Sequence, residues 1–210
     1  MAGTPLSAAL REATMAVHER AHHSTYMAAL LDGRLPLEAY TLLAEQYLGV
    51  YGALEAKGAE LAADPVAGPF VIPELHRMPA LIADVEALGG SVVAPRLLPE
   101  TEAYLARLRE ADAGRFVAHH YTRYLGDLAG GQVVGKVLER TYGITGPGAS
   151  FYDFSALGSP SRFRARYRAL LDAAPWDEIE QRRVCDEAVR AFELNIAMLE
   201  GMAATTRAAA

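Results

Sequence analysis

The chain has 210 residues, of which 51% are apolar and 22% are charged, and its formal net charge is −6. At about 150 residues per domain, this length predicts one domain, or at most two small ones. The apolar fraction excludes a mainly disordered chain. The acidic balance argues against nucleic acid as a partner, because phosphate backbones select basic surfaces.

The number of cysteines and the hydropathy of the chain bear on disulfides, metal sites and membrane spans. Cys185 is the one cysteine, so neither an internal disulfide nor a cysteine-based metal site can form. Charge-free runs fall short of the 18 or so apolar residues that a membrane span needs, and the N-terminus lacks the pattern of a signal peptide. No apolar stripe remains beyond the packing faces. We therefore expect a cytoplasmic monomer with no membrane partner.

Proline and glycine recur about every 20 residues, and apolar residues between them follow helical spacing. This pattern predicts a single all-α domain over residues 1–210. Residues 143–161 are too rich in glycine, proline and serine for a regular element, and residues 204–210 are expected to fray. The predicted helices run from Thr4–Pro5 to Asp32–Gly33, Pro36 to Ala63, Glu74 to Leu88, Glu100 to Ala111, Arg115 to Tyr142, Arg162 to Ala173 and Asp177 to Ala203.

The segment from His18 to His22 matches the H-E-x-x-H pattern of zinc peptidases. In that pattern, two histidines one turn apart bind the metal and the glutamate, here Glu19, is the general base. The context does not favour this use. No strand lies beside the first helix to align a peptide, and the following residues lack the further histidine of one large branch. Histidines on a partly exposed helix face are the simpler interpretation.

Three glycines, Gly126, Gly130 and Gly131, interrupt the predicted helix over residues 115–142. Each costs a helix roughly 0.5–1 kcal/mol relative to alanine, so a compensating reason is expected. Gly126 and Gly130 lie one turn apart and clear one strip of the helix, close to Arg123 and Asp127. A functional cleft and close helix packing are equally compatible with this spacing, and a helix kink is the third interpretation.

Three arginines form a third group of candidate functional residues. Arg11 lies seven residues before His18, on the same helix face and about 10.5 Å away at 1.5 Å per residue. Arg164 and Arg168 share a face of a later helix. Such arginines are usually solvated or paired with acids, and the alternative is bidentate recognition of carboxylates or phosphates. With a histidine and a bare glycine strip, they suit a planar metal-bearing ligand with anionic arms, and heme has that shape.

Several segments resemble the heme oxygenase family, of the bacterial, biliverdin-producing type, in the expected order along most of the chain. Residues 116–138, FVAHHYTRYLGDLAGGQVVGKVL, resemble the distal-helix signature, and residues 10–21, LREATMAVHERA, resemble the proximal helix. EQYLGVYGALE, FVIPELHRMPAL, SRFRARYRALLD and AFELNIAMLE resemble further family segments. The resemblance implies an all-α, single-domain fold that holds heme between a proximal helix and a glycine-rich distal helix.

The resemblance also implies a role for each matching residue. His18 would be the proximal ligand of the heme iron, and the backbone at Gly126, Gly130 and Gly131 would lie against the opposite face of the heme. Asp127 would hold the distal water network. The network would also include Tyr51, Arg123 and Asn195. The heme propionates would contact Arg11, Tyr121, Arg164 and Arg168. Phe192 would line the pocket.

The reaction that the resemblance implies uses heme b as both substrate and cofactor. O₂ and electrons from an external reductant open the macrocycle to biliverdin, expected to be the IX-alpha isomer, with release of CO and ferrous iron. A neutral imidazole is a moderate donor, unlike the thiolate that promotes O–O cleavage in cytochrome monooxygenases. Expected partners are a ferredoxin or an NAD(P)H-dependent reductase and a biliverdin acceptor such as a bacteriophytochrome.

A heme-binding or heme-delivery protein without turnover is the alternative function on the same fold. Asp127 favours the enzyme, because a carrier needs no proton relay. His22 departs from the family pattern, since a glutamate commonly stands near the proximal imidazole at this place. Histidine is a weaker acceptor than a carboxylate, or none, so we expect His18 to remain the ligand with altered electronic tuning. We expect neither His23 nor His120 to bind iron.

Overall fold

The helices that the apolar spacing predicts are present, and most begin and end within a few residues of the expected positions. The structure is a computed structural model that describes residues 4–208, and this range contains no β-strand, which confirms the all-α class. One π-helical turn, Tyr121–Leu125, joins α6 to α7. The α-helices are α1 (Leu6–His22), α2 (Thr25–Leu31), α3 (Leu37–Glu60), α4 (Met78–Ala87), α5 (Pro99–Arg109), α6 (Ala113–His120), α7 (Gly126–Tyr142), α8 (Pro160–Ala173) and α9 (Glu178–Ala208).

Two predicted helices are interrupted. The prediction of one helix over residues 4–32 is wrong, because α1 ends at His22 and α2 begins at Thr25 after extended backbone at Ser24. The prediction of one helix over residues 115–142 is also wrong, because the π turn divides α6 from α7. A π turn adds a residue to one helical turn and often occurs at a functional site. The left-handed backbone of Gly143 ends α7 where the sequence predicts.

Three helix ends also differ from the prediction. Pro5, not Thr4, precedes the first helical residue. Glu74 lies in a 3-10 turn, and α4 begins after it. Residues 204–208 continue α9 and do not fray, since the hydroxyls of Thr205 and Thr206 donate to carbonyls one turn earlier. Residues 209–210 of the predicted frayed tail lie outside the described residues.

The long helix α9 packs along α1, α6 and α5, while α3 packs on α4 and α5. The core between them is aromatic as well as aliphatic. None of the helices within residues 4–208 is long and apolar enough to cross a bilayer. The largest fully buried side chains include Tyr26, Tyr51, Tyr104, Tyr124, Tyr167, Phe70, Phe116 and Phe151.

A buried carboxylate ties three of these helices together. Glu187 of α9 accepts hydrogen bonds from Arg107 of α5, at 2.8 Å from Nε, and shares one with His119 of α6, at 2.9 Å from Nε2. Burial alone would raise the pKa of Glu187, but the hydrogen bonds with His119 and Arg107 outweigh it and hold the pKa at about 2. The carboxylate is therefore charged in the folded protein and joins α5, α6 and α9.

Candidate active site between α1 and α7

A cleft opens between α1, which carries the histidine motif, and α7, which carries the three glycines. Its larger part encloses about 930 Å³, including the open space at its mouth, and a smaller adjoining part about 740 Å³. Both parts reach His18, Thr122, Gly126 and Phe192, so they form one continuous slot. Apolar walls with a few polar groups are typical of small-molecule sites. The apolar lining includes Met27, Leu31, Val133, Val134 and Leu199.

α1 presents His18 to this cleft because its other face is buried in the core, through Leu10, Thr14, Val17 and Ala21. The ring of Phe192, on α9, meets the His18 ring edge-on at 5.8 Å between centroids. Arg11 lines the smaller part of the cleft, and His22 lines the larger part. The helical spacing from Arg11 to His18 thus places a guanidinium and an imidazole along one wall.

The three glycines of α7 have two different surroundings. A Cβ added at Gly126 or Gly130 would meet no atom within 4 Å, so this strip of the helix is open towards the cleft. A Cβ added at Gly131 would lie 2.8 Å from Cδ1 of Tyr152. The cleft interpretation therefore holds for Gly126 and Gly130, whereas close packing explains Gly131. The π turn lies directly before Gly126 and contains none of the three glycines, so the kink interpretation stays a prediction.

A cluster of polar side chains lies beside the bare strip. Asp127 accepts a hydrogen bond from the hydroxyl of Tyr51, which is fully buried behind it. Arg123 places Nη2 3.6 Å from the same Oδ2 of Asp127 and donates from Nη1 to Oδ1 of Asn195 at 2.6 Å. The guanidinium lies over the ring of Tyr47, 4.5 Å from its centroid. The structure thus brings together the four residues assigned to the distal network.

The environment of this cluster suits proton transfer. Burial raises the pKa of Asp127 well above its usual value, although 14% of its side chain remains exposed at the cleft. A carboxyl group in this position keeps its proton to higher pH than an exposed aspartate. The buried Nε and Nη2 atoms of Arg123 and the hydroxyl of Tyr104 donate to no protein group within residues 4–208. Buried donors are normally satisfied, so these atoms are sites for ordered water.

Of the residues assigned to the propionates, some line one end of the slot and others do not. Arg11 and Tyr121 line the smaller part of the cleft. Burial raises the pKa of the Tyr121 phenol, and a hydrogen bond with Thr14 and the positive charges of Arg11 and Arg168 oppose this rise. Arg164 is half-buried on α8, and neither it nor Arg168 is among the residues of the described chain that line the cleft.

Several lining residues are missed by the sequence reasoning. Tyr47 lies one turn before Tyr51 on α3, so helical spacing could have found it. Thr122 stands next to Arg123 within the distal signature. Tyr152 carries no such signal, because it reaches the cleft from the irregular segment between α7 and α8.

The remaining histidines have other contacts. His23 pairs with Glu19 on the exposed side of α1, at 3.0 Å, and its ring packs edge-on against His22. His120 is buried among aromatic rings and shares a 2.7 Å hydrogen bond between its Nδ1 and the hydroxyl of Tyr167. Burial lowers the pKa of His120 to about 3, so the imidazole is neutral. Neither His23 nor His120 is among the described residues that line the cleft.

Comparisons of sequence show which known proteins the chain resembles. The model of the family described as heme oxygenase matches residues 4–201. The chain is 36% identical over 205 residues to heme oxygenase 1 of Gallus gallus, an alignment that covers 94% of this chain and 69% of that protein. It is 32% identical over 204 residues to heme oxygenase 1 of Synechocystis sp., with 93% of this chain and 85% of that protein covered.

Comparisons of structure agree as well. The crystal structure of heme oxygenase-1 from Synechocystis sp. PCC6803 in complex with heme superposes with a TM-score of 0.92 at 29% identity, covering 98% of this chain and 96% of that one. Heme oxygenase from Leptospira interrogans gives a TM-score of 0.88 at 30% identity, covering 93% and 98%. Because the family model spans nearly the whole chain and the folds coincide, the protein belongs to the heme oxygenase family.

Proposed function

We propose that this member of the heme oxygenase family, a family of enzymes that degrade heme, binds heme b in the cleft between α1 and α7, with His18 as the proximal ligand of the iron. The observation that carries the proposal is the shape of the cleft. One wall holds an exposed histidine, and Gly126 and Gly130 leave the wall of α7 bare. An apolar slot with one bare wall suits a planar macrocycle.

Heme is the substrate, and when bound it supplies the iron at which O₂ is reduced and the ring that is opened to biliverdin, CO and ferrous iron. His18 offers an imidazole ligand, a moderate electron donor that does not promote O–O cleavage as a thiolate does. Arg11 and Tyr121 line one end of the cleft and hold the propionates there, and Arg164 and Arg168 of α8 are the further propionate contacts in this proposal. These contacts orient the substrate and select the meso carbon under α7, giving the IX-alpha isomer.

Asp127 and its neighbours handle protons on the opposite side of the cleft from His18. Burial raises the pKa of this carboxyl group, so it takes up a proton at the edge of the cleft more readily than an exposed aspartate does. Tyr51 and Arg123 fix its position from behind. Asn195 fixes Arg123 in turn. No bulky acid or base projects from the bare strip at Gly126, so protons reach the cleft through ordered water held by this cluster.

Electrons and products pass to other proteins in this proposal. The reaction consumes electrons that no group of the described chain supplies, so a ferredoxin or an NAD(P)H-dependent reductase is the donor. Biliverdin leaves to an acceptor, for example a bacteriophytochrome. We further propose that the catalytic unit is a monomer.

A heme carrier without turnover is the second candidate, and one experiment separates the two. The purified chain is loaded with one equivalent of heme and given ascorbate and O₂, and the products are read by absorption and chromatography. An enzyme forms biliverdin and CO. Bound heme that yields no biliverdin would leave only the carrier. The buried polar cluster around Asp127 favours the enzyme, because reversible binding requires no proton donor.

The variant Asp127→Ala tests the proton role directly. We expect it to bind heme but to form biliverdin at least about 100-fold more slowly, because a positioned acid typically contributes a factor of this order. The matched control is Glu139→Ala, which removes an exposed carboxylate from the same helix. A variant at position 127 that turns over at the wild-type rate would remove the carboxyl group from the mechanism.

A further inference from the structure

The irregular segment over residues 148–153, between α7 and α8, packs directly against the glycine-rich helix; we call it the spacer segment. Its backbone is held by side chains from elsewhere in the fold. Asp84 of α4 is 1% exposed and accepts three backbone N–H groups of the segment. The donors are Gly148 at 2.7 Å and Ser150 at 2.9 Å to Oδ1, and Phe151 at 2.7 Å to Oδ2. One carboxylate therefore fixes half of the segment.

A buried arginine fixes the other half. Arg77, which is 7% exposed, donates from Nη1 to the carbonyls of Asp153 at 2.6 Å and Phe151 at 3.4 Å. Its guanidinium also lies 4.4 Å from the centroid of the Phe154 ring. Tyr40 of α3 donates to the carbonyl of Gly148 at 3.0 Å. The spacer segment is thus bound firmly to the side of the molecule formed by α3 and α4.

The spacer segment contacts α7 at the third glycine. The ring of Tyr152 occupies the place where a Cβ at Gly131 would lie, 2.8 Å from Cδ1. Nε2 of Gln132, the next residue of α7, donates to the carbonyl of Tyr152 at 3.2 Å. At Gly135, one turn later, an added Cβ would be 3.7 Å from Cβ of Tyr152, which is ordinary contact. Tyr152 therefore meets α7 most closely at Gly131.

The spacer segment also contacts the polar cluster. The ring of Phe151 lies 5.2 Å from that of Tyr47 and 5.1 Å from that of Tyr51, between centroids. Tyr47 stacks on the guanidinium of Arg123, and Tyr51 donates to Asp127. Two adjacent residues of the spacer segment thus make both sets of contacts. Tyr152 packs against α7, and Phe151 packs against the tyrosines beside Arg123 and Asp127, the group that we propose as proton donor.

We propose that the spacer segment sets the position of α7 relative to the rest of the cleft, with Tyr152 as the positioning residue and Asp84 as its anchor. The inference rests on the proposed function, because the position of α7 fixes where the bare strip and Asp127 meet the substrate. A ring held on several sides cannot yield to a new methyl group without strain, since protein interiors are close-packed. Displacing α7 then alters heme affinity and the meso carbon that is attacked.

The first test is a pair of alanine substitutions on α7. Gly131→Ala places a methyl group against the Tyr152 ring, whereas Gly135→Ala adds the same group to the same helix in ordinary contact. Titration with ferric heme is expected to give a Kd roughly tenfold higher for Gly131→Ala, the typical scale of overpacking. The Kd of Gly135→Ala is expected to stay within about twofold of wild type. Equal Kd values for the two variants would overturn the proposal.

The second test is compensation. Truncating the ring in the double variant Gly131→Ala, Tyr152→Ala removes Cγ, Cδ1 and Cε1, the atoms that the new methyl group meets. We expect the double variant to recover most of the lost affinity and the wild-type biliverdin isomer, and Gly131→Ala alone to give a mixture of isomers. A merely structural role would lower the melting temperature and leave the isomer unchanged. That result, or additive effects of the two substitutions, would overturn the proposal.

A third measurement needs no heme, so it separates this proposal from the proposed function. In the apoprotein, Asp84→Asn replaces one of the two oxygens that accept from the spacer backbone by an NH₂ group and is expected to speed hydrogen exchange at the amides of Gly148, Ser150 and Phe151 and also within residues 126–135. Fast exchange confined to the spacer segment, with α7 unchanged, would overturn the proposal. If the wild-type chain binds no heme, the proposed function fails, while this measurement still decides whether the segment positions α7.

Discussion

Asp127 shows how its surroundings decide the chemistry of a single residue. On spacing alone, this aspartate could pair with Arg123 on a solvated helix face. In the structure it is largely buried, burial raises its pKa, and Tyr51 and Arg123 approach from the side away from the solvent. The same two residues that form an ordinary surface pair elsewhere here form a site that can hold and release a proton.

His22 is the residue at which this chain departs from the family pattern, and it leads to a prediction. It lines the cleft one turn after His18. The substitution His22→Glu provides a carboxylate that can accept the N–H of the ligand and make the imidazole more basic. We expect the reduction potential of the bound heme to fall by about 60 mV, which corresponds to a tenfold change in relative affinity for ferric and ferrous iron.

Spectroelectrochemical titration of the heme complex measures this potential. The control is His23→Glu, a change of the same kind at an exposed neighbour that pairs with Glu19 and does not line the cleft in the described chain. An unchanged potential in His22→Glu would show that position 22 does not tune the ligand.

Residue types and spacing singled out part of the candidate site, and the family resemblance added further residues such as Tyr51, Asn195 and Phe192. The seven-residue step from Arg11 to His18 and the four-residue step from Gly126 to Gly130 each lie within a single helix, so they are present in the structure. Tyr152 could not be predicted, because its place depends on side chains distant in sequence that hold the segment between α7 and α8. Local periodicity contains no information on such contacts.

At the scale of elements, the two helix breaks also depend on contacts between residues that are distant in sequence. Nothing in residues 22–25 resembles a stop signal, since neither proline nor glycine occurs there. The π turn over residues 121–125 likewise contains no glycine or proline, although it carries the buried Arg123. Both breaks occur beside the cleft, so tertiary contacts override local helix propensity there. The all-α class and most helix ends were predictable, because they follow from the apolar spacing and from the positions of glycine and proline.

The hydrogen bonds of Glu187, which join α5, α6 and α9, predict how the stability of the fold depends on pH. A folded-state pKa of about 2, below the unfolded value of 4.5, means that the charged carboxylate stabilises the fold above pH 4.5. The contribution is about 3 kcal/mol at 1.36 kcal/mol per pKa unit, and it is lost as the pH falls towards 2.

The variant Glu187→Gln tests this dependence. Urea unfolding is expected to show a large loss of stability at pH 7 that shrinks steadily below pH 4.5. The control Glu193→Gln replaces an exposed carboxylate of the same helix, paired with Arg190, and should lose well under 1 kcal/mol. A difference between wild type and Glu187→Gln that stays constant from pH 7 to pH 3 would contradict the assigned pKa.

At the scale of the whole molecule, an average charge of −6 hides a local arrangement of the opposite sign. Arg11 lines the smaller part of the cleft together with Tyr121, and Arg164 and Arg168 lie on α8. An acidic chain therefore offers a cationic end to an anionic ligand. Part of the high apolar fraction likewise lines an open slot and does not fill a closed core.

An open slot predicts that heme stabilises the protein unevenly. Hydrogen exchange of α1 and α7 is expected to slow by up to about 100-fold when heme is present at 100 times its Kd, because the ligand binds only the folded form. Helix α4, which does not contribute residues to the cleft lining, serves as the internal reference. Identical exchange in α1 and α7 with and without heme would contradict the position of the site.

The most direct test of the account concerns His18. Wild type, His18→Ala and the control His23→Ala are loaded with heme and given ascorbate and O₂, and biliverdin is measured by chromatography. His18 is exposed on α1, so its loss should leave the fold intact. We predict full biliverdin formation by wild type and His23→Ala, none by His18→Ala, and recovery when imidazole is added. Undiminished biliverdin formation by His18→Ala without imidazole would contradict the central claim that this histidine is the proximal ligand.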